Sequence, residues 1–450
     1  MSSDSTYKHF SNLELDSFRL SFRDCKGSSR PLLVGLSGGV DSVTLLHLCW
    51  RYKQLFPELE LAALYVHHGL NKQADEWQTF CEQFCGQLGV PCFVESVVVR
   101  KGSRQSLEEQ ARKARYQVFE HYAQRYNIAC AHHLDDQCET LFLNLKRGSG
   151  VSGLAGMPSR RRLGNGCLIR PLLPFSRHSI ECYALKYQLR HITDDSNFDV
   201  SIDRNFLRHQ VLPILKERWS GFSEQVAKSC RLLQQSQSLH EELASIDAKK
   251  YVSDTGALSE LVNSLSEPRQ INLIRFWLKQ RSGCYPAYSQ LEQFLVQMNS
   301  SHDRLPEIAI SGGWVRRYQG FWSWWSQLPV VQPCGVLWKF PFNKLIIDGC
   351  GCLKKSESGF LTPPEREQPV YVRFRHEVAN PQLRPFGRGG SRSLKKLLQE
   401  LSIPPWLRNQ IPLIYYGDRW VALADYVIDE KFYERNRQGW QLSWQIYSDT

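Results

Sequence analysis

The stretch Leu32 to Leu46, LLVGLSGGVDSVTLL, decides the fold. Its apolar run, Leu32, Leu33, Val34 and Leu36, breaks at Ser37-Gly38-Gly39-Val40-Asp41-Ser42, and Val43, Leu45, Leu46 and Leu48 then recur at helical spacing. That pattern predicts strand, tight loop, helix. Two adjacent glycines let the backbone turn and come close to a ligand, so their N–H groups can face an anion at the positive end of the new helix. Ser37 and Ser42 add hydroxyl donors, and Asp41 is a carboxylate suited to Mg²⁺ beside a polyphosphate. The plain alternative is a strand-to-helix turn capped by Ser or Asp. No Lys follows the glycines, so this is not a Walker P-loop, and the spacing is not G-x-G-x-x-G.

The same grammar continues along the first third of the chain. The first helix runs to about Tyr52, followed by strand Leu61 to His67, helix Ala74 to Leu88, strand Cys92 to Val99, helix Ser106 to Tyr126 and strand Ile128 to His132. Apolar strands separated by helices of this length predict a parallel sheet covered on both faces, with ligands bound beyond the carboxyl ends of its strands. Val66-His67-His68-Gly69-Leu70-Asn71 ends the second strand, where adenine and ribose contacts would sit, or a simple turn. Ser106 with Glu109 reads as a capping box opening a helix on which Arg112 and Arg115 share a face and Lys113 points elsewhere. Those guanidiniums form a solvated basic face or, beside a nucleotide, balance charge on a transferring phosphate.

The densest cluster is Ala131 to Thr140, AHHLDDQCET. Asp136 and Glu139, at i and i+3, form one acidic face just after His132 and His133. Zinc is an alternative, but the histidines are adjacent rather than four apart, so H-E-x-x-H geometry is absent. A pocket for a cationic substrate or for Mg²⁺ fits better. The glycine-rich run from Arg147 to Met157 reads as a flexible lid over the same edge.

A net charge of +11 and a pI near 9.0 point to a polyanionic partner, though a mildly basic enzyme with a small substrate has the same balance. No apolar run approaches the roughly 20 residues that span a bilayer, and the start MSSDSTYKHF has no signal-peptide core, which predicts a cytoplasmic protein without membrane contact. The 14 cysteines lack paired zinc spacing and read as reduced, mostly buried thiols.

Downstream, Arg160-Arg161-Arg162 and Arg170 open a basic tract, and Arg204 and Arg208 flank Asn205 on a short helix; salt-bridged surface and phosphate-backbone contact are the two readings. From about residue 221 helices dominate, over 224–250, 267–281 and 288–299, followed by strands near 307–311, 313–318 and 320–325. Trp314, Tyr318, Phe321, Trp322, Trp324 and Trp325 read as core, with base stacking as the alternative. Residues 353–369 read as a linker, so the expected domains are 1–220, 221–352 and 370–450. Between 371 and 410 eight Lys and Arg face only Glu377 and Glu400, and Arg388 in a glycine loop with Lys395 and Lys396 on the next helix would grip a nucleic-acid backbone.

Residues 37–42, SGGVDS, resemble the pyrophosphate loop of the N-type ATP pyrophosphatases, the PP-loop superfamily. With VHHGLN at 66–71, ARKARY at 111–116, AHHLDDQCET at 131–140, RGSG and GLAGM up to 157, RPLL at 170–173, and DSN and RNFLR up to 208, the chain resembles the tRNA(Ile)-lysidine synthetase family over nearly its full length. His67-His68 departs from the Asp-His often found in relatives.

The resemblance implies an α/β catalytic domain with a parallel sheet of the adenine-nucleotide α-hydrolase type, a mainly helical middle domain and a small α+β carboxyl-terminal domain. It implies a ligase that adenylates O2 of the wobble cytidine of CAU-anticodon tRNA(Ile) with ATP and Mg²⁺, after which the ε-amine of L-lysine attacks C2 and displaces AMP. By the same resemblance Ser37, Gly38, Gly39, Val40, Asp41, Ser42 and His67 hold ATP, and Asp41, Arg112, Arg115, His133, Asp136 and Glu139 serve catalysis. Asp41 and Asp136 take Mg²⁺, while Arg204, Asn205, Arg208, Arg388, Lys395 and Lys396 touch tRNA. The sequence admits a homodimer. The rival readings are a PP-loop tRNA thiolase, whose Cys-x-x-Cys pair this chain lacks, and a nucleotide-sensing RNA-binding protein.

Overall fold

The computed structural model describes residues 30–69, 73–98, 107–298, 306–310, 312–326, 334–342, 344–348 and 350–446. Leu70 and Asn71 of the second loop and Ser106 of the capping box lie outside them. The chain divides into two compact units, one up to Leu239 and one from His240.

The first unit is built on a six-stranded sheet. Its elements are β1 (Leu32–Gly35), α1 (Val40–Leu55), β2 (Leu61–His67), α2 (Ala74–Leu88), β3 (Cys92–Ser96), α3 (Leu107–Tyr122), β4 (Asn127–Ala129), α4 (Leu134–Lys146), β5 (Arg160–Leu163), β6 (Gly166–Ile169) and α5 (Arg177–Lys186). The strand order is β3-β2-β1-β4-β6-β5, parallel throughout except for the β5–β6 hairpin at the edge. Alternate residues of β1 enter different cores: Leu32 and Val34 pack with α1 and α2, and Leu33 packs with Phe119 and Ala123. A strand buried on both faces must be apolar at every position, which is why Leu32–Val34 shows no alternation.

The order reverses at β1, with β2 on one side and β4 on the other. Loops leaving the carboxyl ends of β1 and β4 therefore diverge across one crevice, the switch point where open α/β sheets bind ligands. Residues 36–39 and 130–133 are those loops.

The run read as a lid is pinned instead. Gln137 donates to Met157 O (3.1 Å) and accepts from Met157 N (2.8 Å), Asn144 donates to Gly153 O (2.7 Å), and residues 151–154 form a helical turn. Gly156 has φ of +65°, and a Cβ there would lie 2.8 Å from the Gln137 side chain. Gly156 thus serves close packing on α4 rather than mobility.

The second unit holds an aromatic core that shares Trp322 with the expected one. Trp277, Phe294 and Trp322 are buried against one another, under a four-stranded antiparallel sheet formed by residues 258–259, 321–325, 313–318 and 307–310. Of the aromatics expected as core only Trp322 is buried; Trp314, Tyr318, Trp324 and Trp325 are half-buried, and Phe321 is exposed. Further on, a five-stranded and a three-stranded antiparallel sheet enclose a core including Trp338, Phe374, Leu397 and Tyr416. Here the sequence reading is corrected: the supposed linker begins within the strand Gly351–Gly359, which pairs with Lys344–Ile347 and with Gly439–Ile446. Only Cys352, Leu353 and the two end glycines of that strand are buried, so its Lys-Lys-Ser-Glu-Ser composition mimics a linker. Among the described residues no helix is long and apolar enough to cross a membrane, and the cysteines are free thiols.

Gly38 has φ of +83°, while Gly39, the residue before α1, has φ of −68°. A Cβ on Gly38 would lie 2.5 Å from Ile192 Cδ1; on Gly39 it would meet only Ser37 Oγ at 3.7 Å. Gly38→Ala is expected to destabilise the protein by about 1–2 kcal/mol, the cost of a left-handed non-glycine residue, and Gly39→Ala to be near neutral. Thermal midpoints of the two variants check this; equal midpoints contradict it.

Candidate active site

The loop after β1 is organised by one hydroxyl. Ser42 Oγ donates to Gly39 O (2.9 Å) and accepts from Ser37 N (3.1 Å) and Ser37 Oγ (3.1 Å). Its hydrogen-bonding capacity is thus used inside the loop, and Ser42 is a staple rather than a free donor. Ile192 N donates to Gly38 O (2.9 Å), tying the loop from outside. Ser37 remains exposed at the rim, and α1 begins at Val40.

Asp41, in the first turn of α1, faces the residues that follow β4. His133 Nε2 lies 3.9 Å from Asp41 Oδ1 and 3.5 Å from Asp136 Oδ2. Arg177 Nη1, from the start of α5, donates to Asp41 Oδ2 at 2.6 Å. Burial pushes the Asp41 carboxyl above its ordinary range although His133 and Arg177 oppose it, and Oδ1 is buried with no hydrogen-bond partner. A buried acceptor left unpaired is costly, so this oxygen is where a cation or donor from a ligand fits.

The acidic face of α4 is almost fully saturated. Glu139, 0 % exposed, accepts from Arg204 Nε (2.7 Å) and Arg208 Nε (2.7 Å). Asp136 accepts from His133 N (3.0 Å) and Arg208 Nη2 (3.3 Å). Burial would raise the Asp136 carboxyl, but His133, Arg204, His132 and the His133 N–H together hold it down at about 2. Arg204 and Arg208 both reach Glu139 because the turn Asp203–Phe206 runs into a π-helical turn at Leu207–Val211. Asp135 accepts from Lys216 Nζ (2.5 Å) and Arg177 N (2.8 Å).

Across the crevice the charge is positive and uncompensated. Arg112 and Arg161 lie over the Tyr116 ring, each 5.0 Å from its centroid. Arg170 is buried, with Nη1 donating to Pro158 O (2.6 Å) and Nε unpartnered. Among the described residues no carboxylate lies within ion-pair distance of Arg112, Arg115, Arg161 or Arg170. Burial pushes His132 down to about 3, and burial together with Arg115 pushes His68 down to about 4. Both imidazoles are therefore neutral near pH 7, and each leaves Nδ1 buried without a partner.

The residues expected at the site are thus brought together in part. Asp41, His133, Asp136 and Glu139 share one edge, and Arg112 and Arg115 lie on α3. His67, at the end of β2, contacts the exposed Asp75 at 3.1 Å. Arg204 and Arg208 turn inward onto carboxylates, and Asn205 Nδ2 donates to Ser196 O and Asp199 O (each 2.9 Å), bracing that loop. In the second unit Arg388 pairs with Glu400 at 2.7 Å, while Lys395 and Lys396 are exposed. Sequence reading missed Arg177, Asp135 and Lys216. Arg177 stands 136 residues from Asp41, a separation at which no local spacing rule applies.

A family model described as a PP-loop domain matches residues 13–215, a TilS substrate binding domain matches 260–321, and a TilS substrate C-terminal domain matches 370–444. The chain is 39% identical over 420 residues to the tRNA(Ile)-lysidine synthase of Enterobacter sp. (strain 638), covering 92% of this chain and 96% of that one. It is 38% identical to that of Serratia proteamaculans (strain 568), covering 93% and 96%, and 37% identical to that of Escherichia coli O157:H7, covering 93% and 97%.

Two outcomes follow from the acidic edge. Glu139→Gln removes the buried charge that two half-buried guanidiniums share, and is expected to cost about 3 kcal/mol, the lower end for a broken buried pair; a thermal midpoint close to wild type contradicts this. Asp136 titrates at about 2 when folded against about 3.9 unfolded, so its contribution is complete above the unfolded value and disappears as pH falls through the folded one. The stability gap between wild type and Asp136→Asn, on the order of 2 kcal/mol at pH 6, should therefore narrow steadily below pH 4. A gap independent of pH between 6 and 3 would remove Asp136 from the charged network.

Proposed function

The chain belongs to the tRNA(Ile)-lysidine synthase family, and from that premise we propose how its residues divide the reaction. It is a ligase that uses ATP to join L-lysine to C2 of the wobble cytidine of CAU-anticodon tRNA(Ile). A carbonyl oxygen is a very poor leaving group, so O2 of the cytidine first attacks the α-phosphorus of ATP and pyrophosphate departs. The neutral ε-amine of lysine then attacks C2, and the oxygen leaves with AMP. The product pairs with A, so the tRNA reads AUA instead of AUG. We place this reaction in the cytoplasm.

The observation that carries this reading is the switch-point crevice, where the loop 36–42 and residues 131–139 meet with Asp41 at their junction. The backbone N–H groups of that loop, at the start of α1, receive the departing pyrophosphate. Arg112 and Arg115, uncompensated by any described carboxylate, balance charge at the α-phosphate, and buried Arg170 extends the same positive field. His68 and His132, neutral between these arginines, line the crevice without repelling them.

Mg²⁺ fits the donor set at Asp41, whose buried Oδ1 has no partner. Mg²⁺ is commonly held by one or two carboxylates together with substrate phosphates. When bound, it would neutralise charge on the phosphates. Asp136 keeps lone pairs for the same ion, but Arg208 and the His133 N–H already engage its oxygens. Glu139, closed under two guanidiniums, orients Arg204 and Arg208 and does not itself receive the lysine ammonium. Lys395 and Lys396 supply free cations for the tRNA backbone.

Incubation of the protein with ATP, labelled lysine and tRNA(Ile) transcript tests the reading directly: label should enter the RNA only when the wobble base is cytidine. Asp41→Ala should abolish ATP–pyrophosphate exchange, by at least a hundredfold on the scale of a lost electrostatic group, while tRNA binding survives. Exchange at the wild-type rate in that variant removes Asp41 from the chemistry.

A further inference from the structure

A cavity of about 250 Å³ lies in the carboxyl-terminal region, far along the chain from the crevice. Its walls include Phe360, Phe386, Tyr433 and Trp440, with Arg388 and Asp425 as charged members. Phe386 and Tyr433 are stacked face to face, 3.5 Å between centroids and 2° from parallel, and Phe360 continues the column 5.2 Å from Tyr433 at 10°. Aromatic side chains left to themselves favour offset or edge-to-face packing. Here they form a flat-faced column.

Cations cap that column at both ends. The Arg437 guanidinium lies 5.0 Å from the Phe360 centroid and the Arg435 guanidinium 6.0 Å from that of Phe386. Both project from the loop that follows Tyr433, and Arg437 has a φ of +55°, which ordinary side chains avoid. Phe386 is 38% exposed, so the ring that Arg435 overlies is within reach of solvent.

We propose that this cavity receives one unpaired nucleobase of the RNA substrate, stacked on Phe386 with Arg435 against it. The proposal rests on the tRNA reading above and adds to it a site for a single base. Stacking supplies sequence-tolerant affinity because every base has a π-face, and arginine adds a cation–π contact. Arg388, on the same wall, lies beside the sugar-phosphate that carries the base, and Asp425 offers an acceptor for a base N–H. Unpaired bases of a tRNA come from its 3′ end or from its loops, and both have this chemistry.

The test uses the full chain and tRNA(Ile) transcripts carrying 2-aminopurine either in the unpaired 3′ end or at a loop position outside the anticodon. Fluorescence of one probe should be quenched on binding, and which one it is identifies the source. Phe386→Leu keeps apolar volume but removes the ring. It should abolish the quenching and weaken tRNA binding about tenfold. Arg435→Gln, a surface change that spares the core, should weaken binding several-fold; it decides the matter if Phe386→Leu lowers the thermal midpoint. Quenching and affinity unchanged in Arg435→Gln and in a folded Phe386→Leu overturn the proposal, as does a peptide partner that competes for the cavity while tRNA does not. Failure of the wild-type chain to bind tRNA or to incorporate lysine is a different result, and strikes the functional reading itself.

Discussion

A carboxylate sealed from water under two guanidiniums, Glu139 beneath Arg204 and Arg208, is the contact on which the geometry of the crevice depends. An uncompensated charge at such a position costs several kcal/mol. The segment 203–211 therefore cannot leave α4 without exposing that cost, and the segment carries its own irregular turn to keep both arginines on one side. Asp135 acts likewise on Lys216 and on the backbone at Arg177, so consecutive carboxylates of α4 hold successive later stretches of chain against the sheet. Arg177, placed in this way, then reaches Asp41. The position of the loop carboxylate is thus set in part from α4, the helix after the neighbouring strand β4, through the backbone bond of Asp135 to Arg177 and the ion pair of Arg177 with Asp41.

This arrangement separates residues that look alike in sequence. Asp136 and Glu139 form an acidic face by spacing, yet their oxygens are engaged by protein groups, and the oxygen left unpaired is on Asp41. On the opposite side, arginines stand without carboxylates and the histidines between them are held neutral. A crevice with a satisfied acidic wall and an unsatisfied basic one is complementary to a polyphosphate before it is complementary to an ammonium group. The lysine substrate must then find its counter-charge in a setting that ATP has already altered.

How much of this is legible in sequence follows from the range of the forces involved. The strand, loop and helix at 32–55 rest on local periodicity and glycine chemistry, and the observed boundaries fall within a residue or two of the expected strand. The i, i+3 spacing of Asp136 and Glu139 is also local and is kept. Their partners lie 65 to 72 residues away, where no periodicity carries information. The same limit explains Asn205: its type suits RNA contact, but two backbone carbonyls of its own loop take both of its donors. The strand at 351–359 was hidden for another reason, since most of its side chains meet water and its identity lies in the ladder with 439–446.

Charge counting in the carboxyl-terminal region shows the same limit in a form that bears on function. Between 371 and 410 the count is eight cations against two carboxylates. In three dimensions Asp418 and Glu430, outside that window, pair with Arg373 and Arg384, and Glu400 alone serves both Arg388 and Arg392. Among the described residues, the exposed cations of this window that lack an ion pair are Lys395 and Lys396, with Arg435 and Arg437 beyond the window on aromatic rings. Lysines on a helix bind phosphate as mobile point charges, whereas guanidiniums on ring faces are positioned for flat ligands. The exposed cations of this region therefore divide between two chemistries, the lysines within the window suited to a nucleic-acid backbone and the arginines beyond it to flat rings.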